Sequence, residues 1–497
     1  MIFKHIRLKA AALAVIMAFS AFGTAACSKK ETGNAEDSKP VEQITIRILE
    51  NDTAKKEGYL DELLNAFNEA YKDKGITAVD ANMDEYTDLA ANGPYGYGPD
   101  VIYQANDKLM TYASNKHILP VSESDYECFK YIPEAAKEAF TINVDGTAYL
   151  CGIPVNIQEP MLFYRKDMLP AGWESTWDKD GNKTPDFFEN WNDLYAYSKQ
   201  IRDNDTSANR NEHFGFMSSF NNLYLNGEFL FSYGAYVFGK NADGTLNPKD
   251  IGFDKGTAAK GLSAMKAFAG LMDEGCIDDT ITVARYERVA DGTYFCAVST
   301  PDTYTSFVEK LKLKYESEGL SADEAAKKAE ENLIMIELPG LMPADGDLTR
   351  SASSMGDSDW VKTVVMGGVN GYGISSYTKH KEACVEFVNF ATGYEMIKKR
   401  AEMLGIAATR SDVAKDTGET ADTIFRSLAD GRIYLMPSIK EVDQIWTPAH
   451  TLMGDVAKDA FRKANGEAEK FAGEADMRKA LEKVSSDIYD AIYTLSK

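Results

Sequence analysis

The chain has 497 residues and carries 54 basic against 77 acidic side chains, a net charge of −23. So acidic a surface repels phosphate backbones and anionic lipid heads, which argues against nucleic-acid binding and adsorption to a membrane surface. The length suffices for two lobes with separate cores, or for one large α/β body.

In chain order the first feature is an address. Lys4, Arg7 and Lys9 precede an apolar stretch over 10–21, followed by small residues at 23–26 and then by Cys27. The stretch is too short for a permanent span, and charge, short apolar core and small residues together form a removable signal peptide, 1–26. Its three cations leave with it, taking the chain from −23 to −26. A cysteine directly after the cleavage position resembles a bacterial lipobox, with Thr24 where leucine is usual. That resemblance implies lipidation of Cys27 and an extracytoplasmic protein held to the cell membrane by the lipid alone. Residues 28–40 (SKKETGNAEDSKP) contain nothing that forms a core and read as a tether. Cys128, Cys151, Cys276, Cys296 and Cys384 are an odd number without a C-x-x-C pair, which disfavours a disulfide framework while leaving room for one bridge. The five histidines lack metal-site spacing.

Strand and helix patterns then alternate. Ile44, Ile46 and Ile48 alternate with polar residues, as in a strand with one buried face, and Leu60, Leu63, Leu64 and Phe67 form one helical stripe. A Gly/Pro/Tyr loop over 92–99 delivers a short apolar strand over 100–103 and a helix over 107–113. Residues 146–154 and 161–164 read as strands around an irregular polar link, 155–160. Helices are predicted over 191–201 and 258–272, strands over 292–299 and 334–338, and a charged helical insertion over 307–333. VVMGGVNGYGIS (364–375) reads as strand, glycine turn, strand. A helix around Cys384, Phe387, Val388 and Ala391 follows, and a last helix carries Met477, Leu481, Val484, Ile488, Ile492 and Leu495. The β-α-β-α order implies an α/β fold with mostly parallel sheets flanked by helices.

Six segments carry a resemblance: 98–121 (GPDVIYQANDKLMTYASNKHILPV), 145–169, 231–246, 291–304, 367–390 and 434–446 (YLMPSIKEVDQIW). In this order they resemble the extracellular solute-binding proteins of ATP-driven importers, in the maltose-binding branch. The resemblance implies a two-lobed, type II periplasmic-binding-protein-like fold with a hinge between the lobes. Lobe 1 would comprise 41–155 plus 333–376, and lobe 2 156–332 plus 377–497, with hinge crossings at 155–160 and 375–378. It also implies a monomer without cofactor or catalysis, whose partners are an oligosaccharide and the permease subunits of an importer.

A sugar site needs aromatic planes for the C–H faces and planar polar groups for the hydroxyls. The resemblance carries such roles onto particular positions. Glu50, Asn51 and Asp52 follow the first strand, where the family places polar contacts. Asp107 and Lys108 stand at an acidic–basic pair, although Asp107 read alone is equally a helix cap. Gln104 stands where the maltose binder has a tryptophan, and Gln158, with Glu159 beside it, where it has an acid. Tyr224 is kept, with Asn222 replacing a glutamate. Asp302 replaces a second tryptophan, Trp446 is kept as a stacking platform, and His450 replaces an arginine one turn later. The expected ligand is a malto-oligosaccharide, with another plant oligosaccharide close behind. The rival readings are a binder of another solute and a secreted glycosidase. A glycerol phosphate would find only Lys108 as a cation, whereas a polyamine would suit Asp52, Asp107, Glu159 and Asp302. A glycosidase needs two carboxylates at a set separation, a weak signal among 77 acids.

Overall fold

A computed structural model describes residues 42–494 apart from 86, 145–146, 208–211, 243, 282–283, 418 and 438, and apart from the side chains of 144, 419 and 420. The expected signal peptide, Cys27, the tether and Leu495 lie outside the described residues.

The periodic stripes do what their spacing requires. Helix Tyr59–Tyr71 buries Leu60, Leu63 and Phe67 and packs on strand Ile76–Asp80, next to strand Ile44–Leu49, whose Ile46 and Ile48 are also buried. Each such side chain contributes about 2 kcal/mol by leaving water. The strand pairs in parallel with Ile76–Asp80 on one side and Val101–Ala105 on the other. A seven-stranded sheet grows from this unit, in the order Ala407–Ala408, Ile153–Gln158, Val365–Ile374, Val101–Ala105, Ile44–Leu49, Ile76–Asp80, with Ile433–Leu435 on the end of Val365–Ile374. A second sheet of four strands runs Leu333–Glu337, Met161–Arg165, Tyr294–Ser299, Phe214–Met217. Its core is aromatic: Trp191 meets Phe216, Phe229 and Phe268 at 5.2–5.9 Å, edge to face. The two sheets with their helices are the two lobes.

Pairing is more mixed than expected. Val365–Ile374 runs antiparallel to both of its long neighbours, and Met161–Arg165 antiparallel to both of its own. These strands arrive from the other lobe rather than through a helical crossover, so nothing forces them parallel. Val365–Ile374 is also one unbroken strand, with no glycine turn. Its glycines permit close approach instead: a Cβ on Gly371 would lie 2.3 Å from the Ile153 carbonyl oxygen.

The expected lobe boundaries shift in three places. The link at 155–160 is mostly strand, because Val155 and Ile157 are buried and Gln158 pairs with Gly368; only 159–160 separate the sheets. Residues 375–378 make no crossing: the amides of Ser375 and Ser376 donate to the carbonyls of Asp100 and His117 in lobe 1. The helices that follow, Lys381–Ala391 and Tyr394–Leu404, pack on lobe 1, with Phe387 5.1 Å from Phe67. Conversely, Leu333–Glu337 belongs to the sheet of lobe 2, not lobe 1. The chain therefore crosses at 159–160, between Glu337 and Val365, and between Leu435 and the helix Trp446–Arg462, which packs on lobe 2.

The charged insertion is a helical hairpin. Tyr304–Ser317 and Ala322–Asn332 are separated by Gly319 (φ +101°), and Ser321 with Glu324 forms a capping box on the second helix. The five cysteines from Cys128 to Cys384 are free and buried. The C-terminal helix Glu474–Thr494 buries Met477, Leu481, Val484, Ile488 and Ile492, as the periodicity predicts.

Candidate functional site

On lobe 1 the candidate residues gather at the ends of two strands. The amide of Gln104, at the end of Val101–Ala105, donates to the Glu85 carbonyl, and the Asp52 backbone N–H donates to Glu85 Oε2 at 2.7 Å. One short loop thus joins Asp52 and Gln104. Asp107 stands second in helix Asn106–Ser114, whose cap residue is Ala105. Burial raises its pKa and Asp443 raises it further, against the backbone amides and the charge of Lys108. Lys108 itself is exposed.

At the first crossing, Tyr224 of lobe 2 donates its hydroxyl to the Gln158 carbonyl at 3.0 Å. Tyr224 is half-buried. Burial pushes its pKa far up, and Asp302, Glu159 and Asp107 add to the shift, so these four groups share one electrostatic neighbourhood. Asp302 lies in the turn Pro301–Thr303 with Oδ1 buried and without a hydrogen-bond partner among the described residues.

Glu159 differs from expectation. It is 3 % exposed and Oε1 is unpartnered among the described residues. Burial lifts its pKa well above the carboxylate range, Glu337 adds to this, and Arg432 opposes it. Arg432 in turn holds Glu337 at 3.1 Å. The acid therefore sits where the three crossings converge and presents almost no surface to a ligand. Glu50 departs further: it is fully buried and forms an ion pair with Arg400 at 2.8 Å. Asn51 is consumed as the cap of helix Asp52–Lys56.

The far wall belongs to lobe 2. Asn222 caps helix Leu223–Asn226 through Oδ1. Trp446 opens the helix Trp446–Arg462, which packs against Leu223–Asn226, and is half-buried with its ring 5.8 Å from that of His450. The preceding turn, Lys440–Gln444, carries Asp443 and packs against the Asp107 helix, which places Trp446 and Asp107 at one junction. The insertion also reaches this region: Glu309 on Tyr304–Ser317 lies 3.7 Å from Lys56, one helix turn beyond Asp52. A groove of about 1010 Å³ opens between the hairpins 141–150 and 236–252, over Tyr434–Ile439, and none of the ten expected contact residues lines it.

Sequence reasoning passed over Asp279, Glu337 and Arg432. Nothing in their local sequence marks them, since each acts through neighbours more than 50 residues away. As assembled, the junction offers one indole, one phenol and several carboxylate and amide groups from both lobes.

A model of the family described as bacterial extracellular solute-binding protein matches residues 62–426. The galactooligosaccharide-binding protein of Bacillus subtilis (strain 168) is 24 % identical over 465 residues, which cover 93 % of this chain and 92 % of that one. The maltodextrin-binding protein MdxE of the same organism is 25 % identical over 450 residues, 88 % and 90 % of the two chains. Among solved structures, the maltose-binding periplasmic protein MalE from Listeria monocytogenes, in complex with maltose, superposes with a TM-score of 0.65 at 18 % identity, covering 91 % of this chain and 98 % of that one.

Proposed function

This chain belongs to the bacterial extracellular solute-binding proteins, and on that premise we propose that it captures an oligosaccharide between its lobes and hands it to an ABC importer. The observation that carries the proposal is the junction itself. Asp107 and Gln158 come from lobe 1, Tyr224, Asp302 and Trp446 come from lobe 2, and the Tyr224–Gln158 hydrogen bond joins them at a crossing. Trp446 supplies an apolar plane, and Asp302 Oδ1, unpartnered among the described residues, can accept from a sugar hydroxyl. Lobes that both touch the ligand close around it, and the permease subunits meet the closed form.

The ligand is an uncharged malto-oligosaccharide, with a galacto-oligosaccharide second. A polyamine would require carboxylates open to it, and Glu159 is 3 % exposed. The protein works as a monomer without catalysis, anchored outside the cytoplasm through a lipid on Cys27. Calorimetric titration with malto- and galacto-oligosaccharides, spermidine and glycerol phosphate tests the binding proposal. Binding to a sugar series alone is expected, and silence toward every oligosaccharide ends the reading. New reducing ends released from any of these sugars would replace it with a glycosidase.

A further inference from the structure

The lobe 2 wall is assembled from segments far apart in sequence: the turn at 221–224, the turn at 301–303 and the helix that starts at Trp446. Asp279, which no motif marks, holds the first of these. Its Oδ2 accepts from Asn221 Nδ2 at 3.2 Å and its Oδ1 from Asn222 Nδ2 at 3.4 Å. Asn222 is thereby held at both ends of its amide, because its Oδ1 accepts from the Leu225 N–H. The backbone around Asp279 is itself pinned, with the Phe220 amide donating to the Ile277 carbonyl. The Trp446 helix comes against the same turn: a Cβ on Gly454 would sit 3.2 Å from Asn221 Cβ. On that helix His450 packs edge-on to Trp446, with Nε2 buried and unpartnered among the described residues. Burial lowers the His450 pKa and Asp279 pulls it back. Beyond Asp279, the buried Arg285 donates to Ser299 Oγ at 3.3 Å, and Thr303, next to Asp302, donates to the same oxygen at 3.0 Å.

We propose that Asp279 is a positioning residue of the ligand site, a single carboxylate that fixes the Asn221 and Asn222 amides and so sets the turn at 221–224 against the helix that carries His450 and Trp446. The proposal rests on the oligosaccharide reading above. Its chemistry is that of two acceptor oxygens, each taking a side-chain amide N–H. An anion accepts from both amides and favours the imidazolium, whereas a neutral amide in its place turns one donor toward another. Asp279 is the charged group that bears on His450, and Lys458, about two turns further along the same helix, is engaged by Asp278 at 3.7 Å.

The test is Asp279→Asn, read in two ways. In proton NMR, the imidazole signal assigned by its loss in His450→Gln titrates below the usual histidine range in the wild type and lower still in Asp279→Asn, with no ligand present. In calorimetry with whichever sugar the wild type binds, Asp279→Asn weakens affinity at neutral pH about tenfold or more. Asp279→Ser, which removes the carboxylate without adding a donor amide, carries the same expectation should the first variant not fold. An unchanged His450 titration, or equal affinity in a folded variant, overturns the proposal and leaves the sugar reading intact. Failure of the wild type to bind any sugar overturns both.

Discussion

Glu228 has both carboxylate oxygens buried without a partner among the described residues, and burial pushes its pKa to about 8. The unfolded chain loses this proton near pH 4.5, while the folded chain keeps it until about 8. The folded state therefore binds more protons across that window, and stability falls as pH rises through it, by up to about 5 kcal/mol. Glu228→Gln should flatten this decline, as read from denaturant midpoints at pH 5 and pH 8.5. Glu159 shifts in the same direction, so part of the decline persists in the variant. Trp446 is the residue on which the sugar reading leans hardest. Trp446→Ala should weaken binding by about 1–3 kcal/mol in calorimetry, the scale of one lost aromatic contact, and unchanged affinity would remove it from the site. Residue roles were only partly legible. Asn222, Tyr224, Asp302 and Trp446 came from motif order and do gather, but Glu50 and Asn51 carry the same polar side chains whether they face a cleft or a core. For Glu50 the position of Arg400, 350 residues away, decides between those outcomes.

The Glu50–Arg400 pair acts at the level of elements. It ties helix Tyr394–Leu404 to the first strand, with the guanidinium 4.0 Å over the Tyr103 ring and the Tyr372 hydroxyl on the same carboxylate. Removing one partner strands a buried charge, so Arg400→Met should cost about 3–5 kcal/mol in urea unfolding, and adding Glu50→Gln should return part of it. This contact, together with Phe67 against Phe387, is why residues 381–404 belong to lobe 1 rather than lobe 2. The element types themselves were readable, because stripes such as Leu60, Leu63 and Phe67 are set by neighbours three and four residues away. The run of glycines in 364–375 was misleading: a turn and a tightly packed central strand both favour a missing side chain.

For the whole molecule, the insertion makes a contact that its sequence does not disclose. Through Glu309 it reaches Lys56 of lobe 1, so the helical hairpin bridges the lobes beside Asp52. Both side chains are more than half exposed, and the pair is weak and screened by salt. Lys56→Glu should lower sugar affinity by less than tenfold at low salt, the loss should fade at high salt, and Glu309→Lys added to it should restore binding. A larger, salt-independent effect would mean that Lys56 touches the ligand directly.

The sequence by itself determined the α/β class, the periodic elements and the order of segments that marks a two-lobed binder, because these depend on near neighbours and on chain order. The tertiary structure alone decided which lobe claims 333–337 and 381–404, where the three crossings meet around Glu159, Glu337 and Arg432, and that Asp279 joins the lobe 2 wall. Those outcomes depend on hydrogen bonds and packing between residues tens to hundreds of positions apart, and a carboxylate's local sequence does not record which distant partner will neutralise it.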